Sequence, residues 1–226
     1  MKFDFQNGEL ILIDKELNWT SFDVVNKLRS SIKKKLDLKK IKVGHAGTLD
    51  PLATGLLIIC TGKMTKRIDE FSCLDKTYSG KITIGSSTPS FDLETKPNVY
   101  YPTNHINDEL ILNTAKNFIG KTLQKPPIFS AIKKDGVRLY KLARKGVDVK
   151  IEKKEIIIHD FKITSINFNE IEFSVKCSKG TYIRSLANDF GKELGSGAHL
   201  SELRRTSIGE YSVDNSYELM SFIRNI

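Results

Sequence analysis

Apolar positions along this chain fall into short runs that switch between two periods. Leu10 to Ile13 is unbroken and apolar, which predicts a strand. From Ser21 the apolar residues Phe22, Val25, Leu28 and Ile32 recur at helical spacing, and this stripe runs into a lysine-rich end. Leu56 to Cys60 is the longest unbroken apolar run; Gly55 and Gly62 bound it, and it reads as a buried strand. Tyr78, Ile82 and Ile84 mark another strand. Asn107 fits as the N-cap of a helix that carries Ile111, Ala115 and Phe118 and stops at Gly120. Val137 to Lys145 reads as a short basic helix stopped by Gly146. Ile157, Phe161 and Ile163 predict one strand and Ile171, Phe173 and Val175 another, joined by polar turn residues at Asn167 to Glu170. Ile183, Leu186, Ala187, Phe190 and Leu194 then give a clean helical stripe ending at Gly195.

Strands and helices are interspersed, with hairpin-like strand neighbours instead of strict strand-helix-strand alternation. The expected fold class is therefore α/β in the α+β sense: a mixed, largely antiparallel sheet flanked by helices. No repeat, low-complexity tract or Pro/Gly/Ser linker divides the chain, so a single domain over residues 1–226 is expected.

Charge narrows the partners. Lys and Arg number 36 against 27 for Asp and Glu, a formal net charge of +9 that favours a polyanion, an anionic membrane surface or a phosphorylated metabolite. With 39% hydrophobic and 28% charged residues, disorder and collagen-like structure are excluded. The run at Leu56 is far short of the ~20 residues that cross a bilayer, so no membrane association is expected. Asp4 and Glu9 interrupt the apolar stretch a signal peptide needs, which points to the cytoplasm. Cys60, Cys73 and Cys177 are dispersed and odd in number, with no Cys-x-x-Cys and no His pair at ligand spacing. Reduced thiols are expected, without a zinc site, another metal or a disulfide framework. No coiled-coil pattern is present, so a monomer is the expected state.

Three segments could carry chemistry. Gly44-His45-Ala46-Gly47-Thr48-Leu49-Asp50-Pro51-Leu52-Ala53-Thr54-Gly55 leads directly into the apolar strand. Its glycines permit tight turns and Asp50-Pro51 fixes a bend, presenting a carboxylate on a stiff loop. Taken alone, an Asp-Pro of this kind more often caps a turn. Gly62-Lys63 resembles the end of a phosphate-cradling loop, but Leu57 and Met64 stand where that pattern needs Gly and Ser or Thr. The second segment, Cys177 to Leu186, places Arg184 in a helix's first turn, off the apolar face. The helix dipole disfavours it there, so a local carboxylate is expected to compensate; a solvated Arg is the plain alternative. The third runs from Lys125-Pro126-Pro127 through Lys133, Arg138, Tyr140, Arg144 and Lys145. Basic residues interleaved with aromatic ones suit nucleic acid, where phosphate contacts and stacking combine, although an ordinary basic surface hairpin has the same composition. Lys33-Lys34-Lys35 with Lys39, Lys40 and Lys42 adds charge before the glycine-rich loop.

In order along the chain, these segments resemble the tRNA pseudouridine synthase B (TruB) family. The Gly44 to Gly55 segment is the most specific match, and Lys76-Thr77-Tyr78, Pro126 to Arg144, Gly180-Thr181-Tyr182-Ile183-Arg184, Gly197-Ala198-His199 and Leu203-Arg204-Arg205 follow. Asp14-Lys15 and Thr20-Ser21 fit the family's early motif, with Glu16 and Asn18 where it usually has Pro and Gly; Thr88, Ser90 and Asp92 keep part of a Thr-rich loop. The resemblance implies a pseudouridine-synthase-like fold and isomerisation of the T-loop uridine at position 55 of tRNA, with no cofactor. It implies Asp50 as catalytic carboxylate, Arg184 as its cation and Tyr78 as the stacking aromatic. Tyr182 and Leu203 would line the pocket, His45 would fill the gap left by a flipped base, and Lys15 would steady the pocket. A region about 125–150, with Lys133, Arg138, Tyr140 and Arg144, would grip the T stem-loop. The family's C-terminal PUA-type RNA-binding module is expected to be absent. The competing classes are a non-catalytic RNA-binding protein on the same scaffold and a nucleoside hydrolase, the latter normally needing two carboxylates.

Overall fold

The computed structural model describes residues 3–134, 136–147 and 149–226. Its first half contains β1 (Leu10–Lys15), α1 (Ser21–Lys35), β2 (Val43–Ala46), β3 (Ala53–Thr61), α2 (Ile68–Cys73), β4 (Lys76–Ile84), β5 (Ser86–Ser87), β6 (Val99–Tyr100) and α3 (Asp108–Asn117). Next come β7 (Gly120–Gln124), β8 (Lys133–Lys134), β9 (Val137–Arg138), α4 (Leu139–Ala143), β10 (Lys154–Asn167) and β11 (Glu170–Cys177). The chain closes with α5 (Ile183–Glu193), β12 (Ala198–Ile208), β13 (Tyr211–Ser212), β14 (Tyr217–Glu218) and α6 (Leu219–Asn225). This is the mixed, largely antiparallel sheet flanked by helices that the hydrophobic pattern predicts. Two compact units result: Met1–Ser79 with Leu203–Ile226, and Gly80–Glu202. The strands β4 and β12 each contribute residues to both.

In the first unit β3 is the organising strand. β1 runs antiparallel to it from Leu10↔Cys60 to Lys15↔Gly55, and β2 lies antiparallel from Val43↔Thr61 to Ala46↔Ile58. β12 joins β3 in parallel, pairing Leu203↔Ala53, Arg204↔Thr54 and Arg205↔Gly55, and β14 lies parallel to β1. The unbroken apolar run of β3 follows from burial on both faces. Leu57 and Ile59 pack with Ile11, Ile13, Leu28, Ile32 and Phe222, while Leu56, Ile58 and Cys60 pack with Ala46, Phe71 and Ile208. Thr20 and Asp23 start α1 with a reciprocal capping box (Asp23 N to Thr20 Oγ1 3.0 Å, Thr20 N to Asp23 Oδ2 2.9 Å). The inward stripe of α1 is Ser21, Val24, Val25, Leu28 and Ile32; Phe22, expected inside, is 60% exposed. Position 22 sits a step of about 100° from position 21, and the Ser21 hydroxyl holds the inward place by bonding Leu49.

In the second unit β10 pairs antiparallel with both β7 and β11. Its core includes an aromatic cluster in which Phe161 meets Phe118, Phe173 and Phe190 edge-on, at centroid separations of 6.2, 5.8 and 5.7 Å. The Asn107 side chain caps α3 as expected, accepting from Leu110 N at 2.9 Å. The basic helix expected from Val137 begins at Leu139 instead, because Val137–Arg138 pairs as a strand with Lys133–Lys134. Leu139 N to Ile132 O (2.8 Å) and Tyr140 N to Ser130 O (3.0 Å) then return the chain into α4. The apolar stripe of α5 is buried as read, and Gly195 follows it with φ +67°. Nothing in the apolar pattern predicts β12, whose buried positions include Arg205 and His199. No helix among the described residues is long and apolar enough to cross a membrane.

Candidate active site

Asp50 lies in the loop between β2 and β3, half-buried, with Gly47 at φ +92° opening the loop and Gly55 at φ +103° inside β3. Side chains from three other elements hold the loop backbone. Ser21 at the start of α1 bonds Leu49 twice, accepting from its N–H (2.8 Å) and donating to its carbonyl (3.1 Å). Lys15 at the end of β1 donates to Trp19 O (2.7 Å), Glu16 O (2.9 Å) and, at the edge of hydrogen-bond range, Pro51 O (3.5 Å). Arg205 in β12 donates to Leu56 O (2.8 Å), Gly47 O (3.1 Å) and Thr48 O (3.4 Å). The loop also closes on itself through Ala53 N to Asp50 O at 3.1 Å.

The backbone at residue 18 accounts for the Asn found there. Asn18 has φ +66°, the left-handed conformation for which Gly is the default and Asn the best-tolerated substitute, and its N–H reaches Pro51 O at 2.8 Å. Leu203 stands opposite Ala53 in the parallel register, three residues beyond Asp50. Tyr78 is buried on β4 in the same unit. Next to Lys15, Asp14 receives a two-point bond from Arg204 (Nη1–Oδ1 3.0 Å, Nη2–Oδ2 2.6 Å), which also reaches Thr54 Oγ1 at 3.4 Å.

Burial shapes the electrostatics of this unit. It pulls the Lys15 ammonium down to about 8, against the partly offsetting charge of Asp50. His45 on β2 is pushed below the ordinary imidazole value by burial first and by the Arg205 guanidinium second, so it is neutral at physiological pH. Its buried Nδ1 has no hydrogen-bond partner among the described residues. The Cys60 thiol is driven up to about 11 by burial, an inert core sulfur.

A pH test follows from Lys15. Its folded value of about 8 lies below the 10.5 of the open chain, so between these values the unfolded state holds the extra proton. Stability therefore rises with pH across that window, and below about 8 the burial penalty is fully present. Calorimetric melting of wild type and Lys15→Met should show the wild type gaining on the variant from pH 8 to 10.5. A difference that stays constant with pH would contradict the buried-ammonium assignment.

The second unit carries Tyr182 and Arg184. Tyr182 precedes α5, and the Gln124 side-chain amide grips its backbone on both sides, accepting from Tyr182 N (2.8 Å) and donating to Tyr182 O (3.0 Å). Ser185 Oγ donates to Lys125 O at 2.8 Å, so the start of α5 is tied to the base of the 125–150 segment. Arg184 lies off the apolar stripe as read, yet it is only 4% exposed, which removes the solvated alternative. Its Nη1 donates to Ser90 O (3.3 Å) and its Nε lies 3.5 Å from Asp92 Oδ2. Asp92, itself buried, is a compensating carboxylate of the kind the first-turn position requires. Its loop is held by Thr88 Oγ1 and Ser90 Oγ, both donating to Asp92 O (2.6 and 3.1 Å).

In the 125–150 segment Arg138 is exposed, and Arg144 packs its guanidinium on Tyr140 at 5.4 Å while pairing with Glu94 at 2.8 Å. The Lys133 side chain lies outside the described residues. Arg205, Ser21 and Gln124 are contributors that motif reading does not single out by role. The available signals are a charged residue inside a strand for Arg205 and a polar residue on the inward stripe for Ser21. Among the described residues no three His, Cys, Asp or Glu side chains gather as metal ligands.

Comparison with known proteins fits this arrangement. Residues 33–183 match the family model for the TruB family pseudouridylate synthase N-terminal domain. Residues 184–224, covering α5 to α6, match that for the tRNA pseudouridylate synthase B C-terminal domain. The class of protein is thereby the pseudouridylate synthases. The tRNA pseudouridine synthase B of Flavobacterium johnsoniae is 57% identical over 97% of this chain and 96% of its own length. That of Phocaeicola vulgatus is 53% identical over 97% and 93%. The chain belongs to the TruB family. Among solved structures it is similar to a chain in a Cbf5-Nop10-Gar1 complex (28% identity, TM-score 0.70). It also resembles one in an H/ACA RNP bound to a substrate RNA containing 2'-deoxyuridine (26% identity, TM-score 0.69). In each case the match covers 97% of this chain and about half of the other, 54% and 53%.

Proposed function

We propose that this chain isomerises uridine to pseudouridine at position 55 in the T-loop of tRNA. The N-glycosidic bond breaks, the uracil turns, and a carbon–carbon bond forms between ribose and uracil carbon five. The proton on that carbon leaves to solvent and the freed nitrogen takes one up, so no oxidant, reductant or water is consumed. One ionised carboxylate must act at the ribose, as nucleophile or base, and Asp50 is that group. The observation that carries this reading is the Asp50 loop, whose backbone is held by Lys15, Ser21 and Arg205 together. Loops are ordinarily the mobile part of a fold, and a carboxylate on a loop fixed this way is preorganised for attack. Family membership and the names of the relatives support the same substrate class.

In this mechanism the target base is turned out of the RNA, as enzymes acting on bases within folded nucleic acid require. Tyr78 stacks on it and neutral His45 fills the space left in the loop; the family motif assigns Tyr182 and Leu203 to contact with the base. Arg184 supplies the positive charge that keeps a carboxylate ionised away from water, a role that suits the planar guanidinium. Lys133, Arg138, Tyr140 and Arg144 grip the T stem-loop. The protein acts as a cytoplasmic monomer without a cofactor.

The test is a T-loop RNA carrying tritium at uracil carbon five. Release of tritium into water with the RNA chain intact is expected. Free uracil would instead make the protein a hydrolase, and neither product would leave an RNA-binding protein.

A further inference from the structure

Arg205 is only 1% exposed, one of the largest side chains buried to that extent. Burying a guanidinium costs several kcal/mol unless its donors are satisfied, and these donors are spent in an unusual way. Among the described residues no carboxylate lies at ion-pair distance from it. Instead Nε, Nη1 and Nη2 donate to the carbonyls of Leu56 (2.8 Å), Thr48 (3.4 Å) and Gly47 (3.1 Å). Gly47 and Thr48 open the loop that presents Asp50, and Leu56 lies within β3, the strand that follows it. A rigid planar fork holds its donors at fixed, separated positions toward both segments; an ammonium gathers its three donors at one flexible point.

Two glycines border Arg205. Arg205 pairs with Gly55 across β12 and β3, and a Cβ at Gly55 would collide with the Arg205 carbonyl oxygen. A Cβ at Gly47 would rest 3.5 Å from Arg205 Nη1. Gly55 has φ +103° and Gly47 φ +92°, so both positions resist substitution on conformational grounds as well.

We infer that Arg205 is a positioning residue: by tying Gly47, Thr48 and Leu56 together it fixes the Asp50 carboxylate at its working place. Its donors are spent on backbone carbonyls, so it acts through the loop. The inference rests on the reading of Asp50 as the catalytic carboxylate.

Arg205→Lys and Arg205→Gln, assayed well below their melting temperatures, test it. The expected result is a fall in kcat of at least thirtyfold in Arg205→Lys and more in Arg205→Gln, with KM for the RNA within threefold of wild type. Faster amide hydrogen exchange in the peptide spanning residues 47–53 should accompany it. A residue needed only for stability would lower the melting temperature and leave the kcat of the folded enzyme intact, and that outcome overturns the inference. Should neither variant fold, NMR of the wild-type Arg205 guanidinium decides: N–H protons exchanging as fast as those of an exposed arginine would overturn it, and slow exchange would sustain it. An active Asp50→Asn would bring down the underlying reading. An inactive Asp50→Asn beside a fully active Arg205→Lys would bring down the clamp alone.

Discussion

Asp50→Asn is expected to cut tritium release from T-loop RNA by at least a thousandfold, about 4 kcal/mol of transition-state stabilisation. The amide matches the carboxylate in size and cannot act as a nucleophile or base. The bonds that hold the loop run to the backbone: Ser21 to Leu49, Arg205 to Gly47 and Thr48, Ala53 N to Asp50 O. They survive the exchange, so the loop should keep its place, while loss of the charge that partly offsets the burial of Lys15 lowers the melting temperature. Affinity for the RNA, measured by filter binding, should change by less than about threefold, since a loss confined to the reacting state lowers kcat and kcat/KM together. Turnover within tenfold of wild type would remove Asp50 from the chemistry.

The second large effect is expected at Arg184. Arg184→Lys keeps the charge but loses the planar fork that reaches both Ser90 O and the Asp92 carboxylate. A shorter, strongly hydrated ammonium in this buried site either retracts or draws in water, and in both cases the positive charge shifts by an ångström or more. A displacement of that order at an active site costs about a hundredfold. Single-turnover rates should fall by that factor while the dissociation constant for RNA stays within a few-fold. An unchanged rate would make Arg184 a purely structural partner of Asp92.

Some of this architecture is legible in the sequence because single-residue chemistry dictates it. Asn107 is a cap wherever an apolar stripe follows, and the run Leu56 to Cys60 can be unbroken only in a strand covered on both faces. The clean stripe of α5 likewise survives translation into structure. What escapes is whatever depends on a distant partner. β12 is invisible to a search for alternating apolar residues because Arg205 and His199 occupy inward positions, and the acceptors of Arg205 lie about 150 residues earlier in the chain. The burial of Arg184 depends in the same way on Ser90 and Asp92, about 90 residues earlier. Phe22 misleads for the opposite reason: a large apolar residue draws the stripe toward itself, although the small Ser21, bonded to Leu49, faces inward. Val137 and Arg138 suit a helix, but their pairing with β8 delays its start to Leu139. At the site, the motif gives Asp50 by type and position, and only the fold reveals how its loop is restrained.

The chain's order has a bearing on biosynthesis. The second unit, Gly80–Glu202, is one continuous stretch, whereas the first is assembled from both flanking stretches. Translation therefore releases every residue of the inner unit before β12 can lie along β3 or β14 along β1. Residue 205 follows the inner unit in the chain, so its bonds to Gly47, Thr48 and Leu56 close only after that unit has been made. A nascent chain would thus finish its inner unit before Arg205 can bond the segment around Asp50.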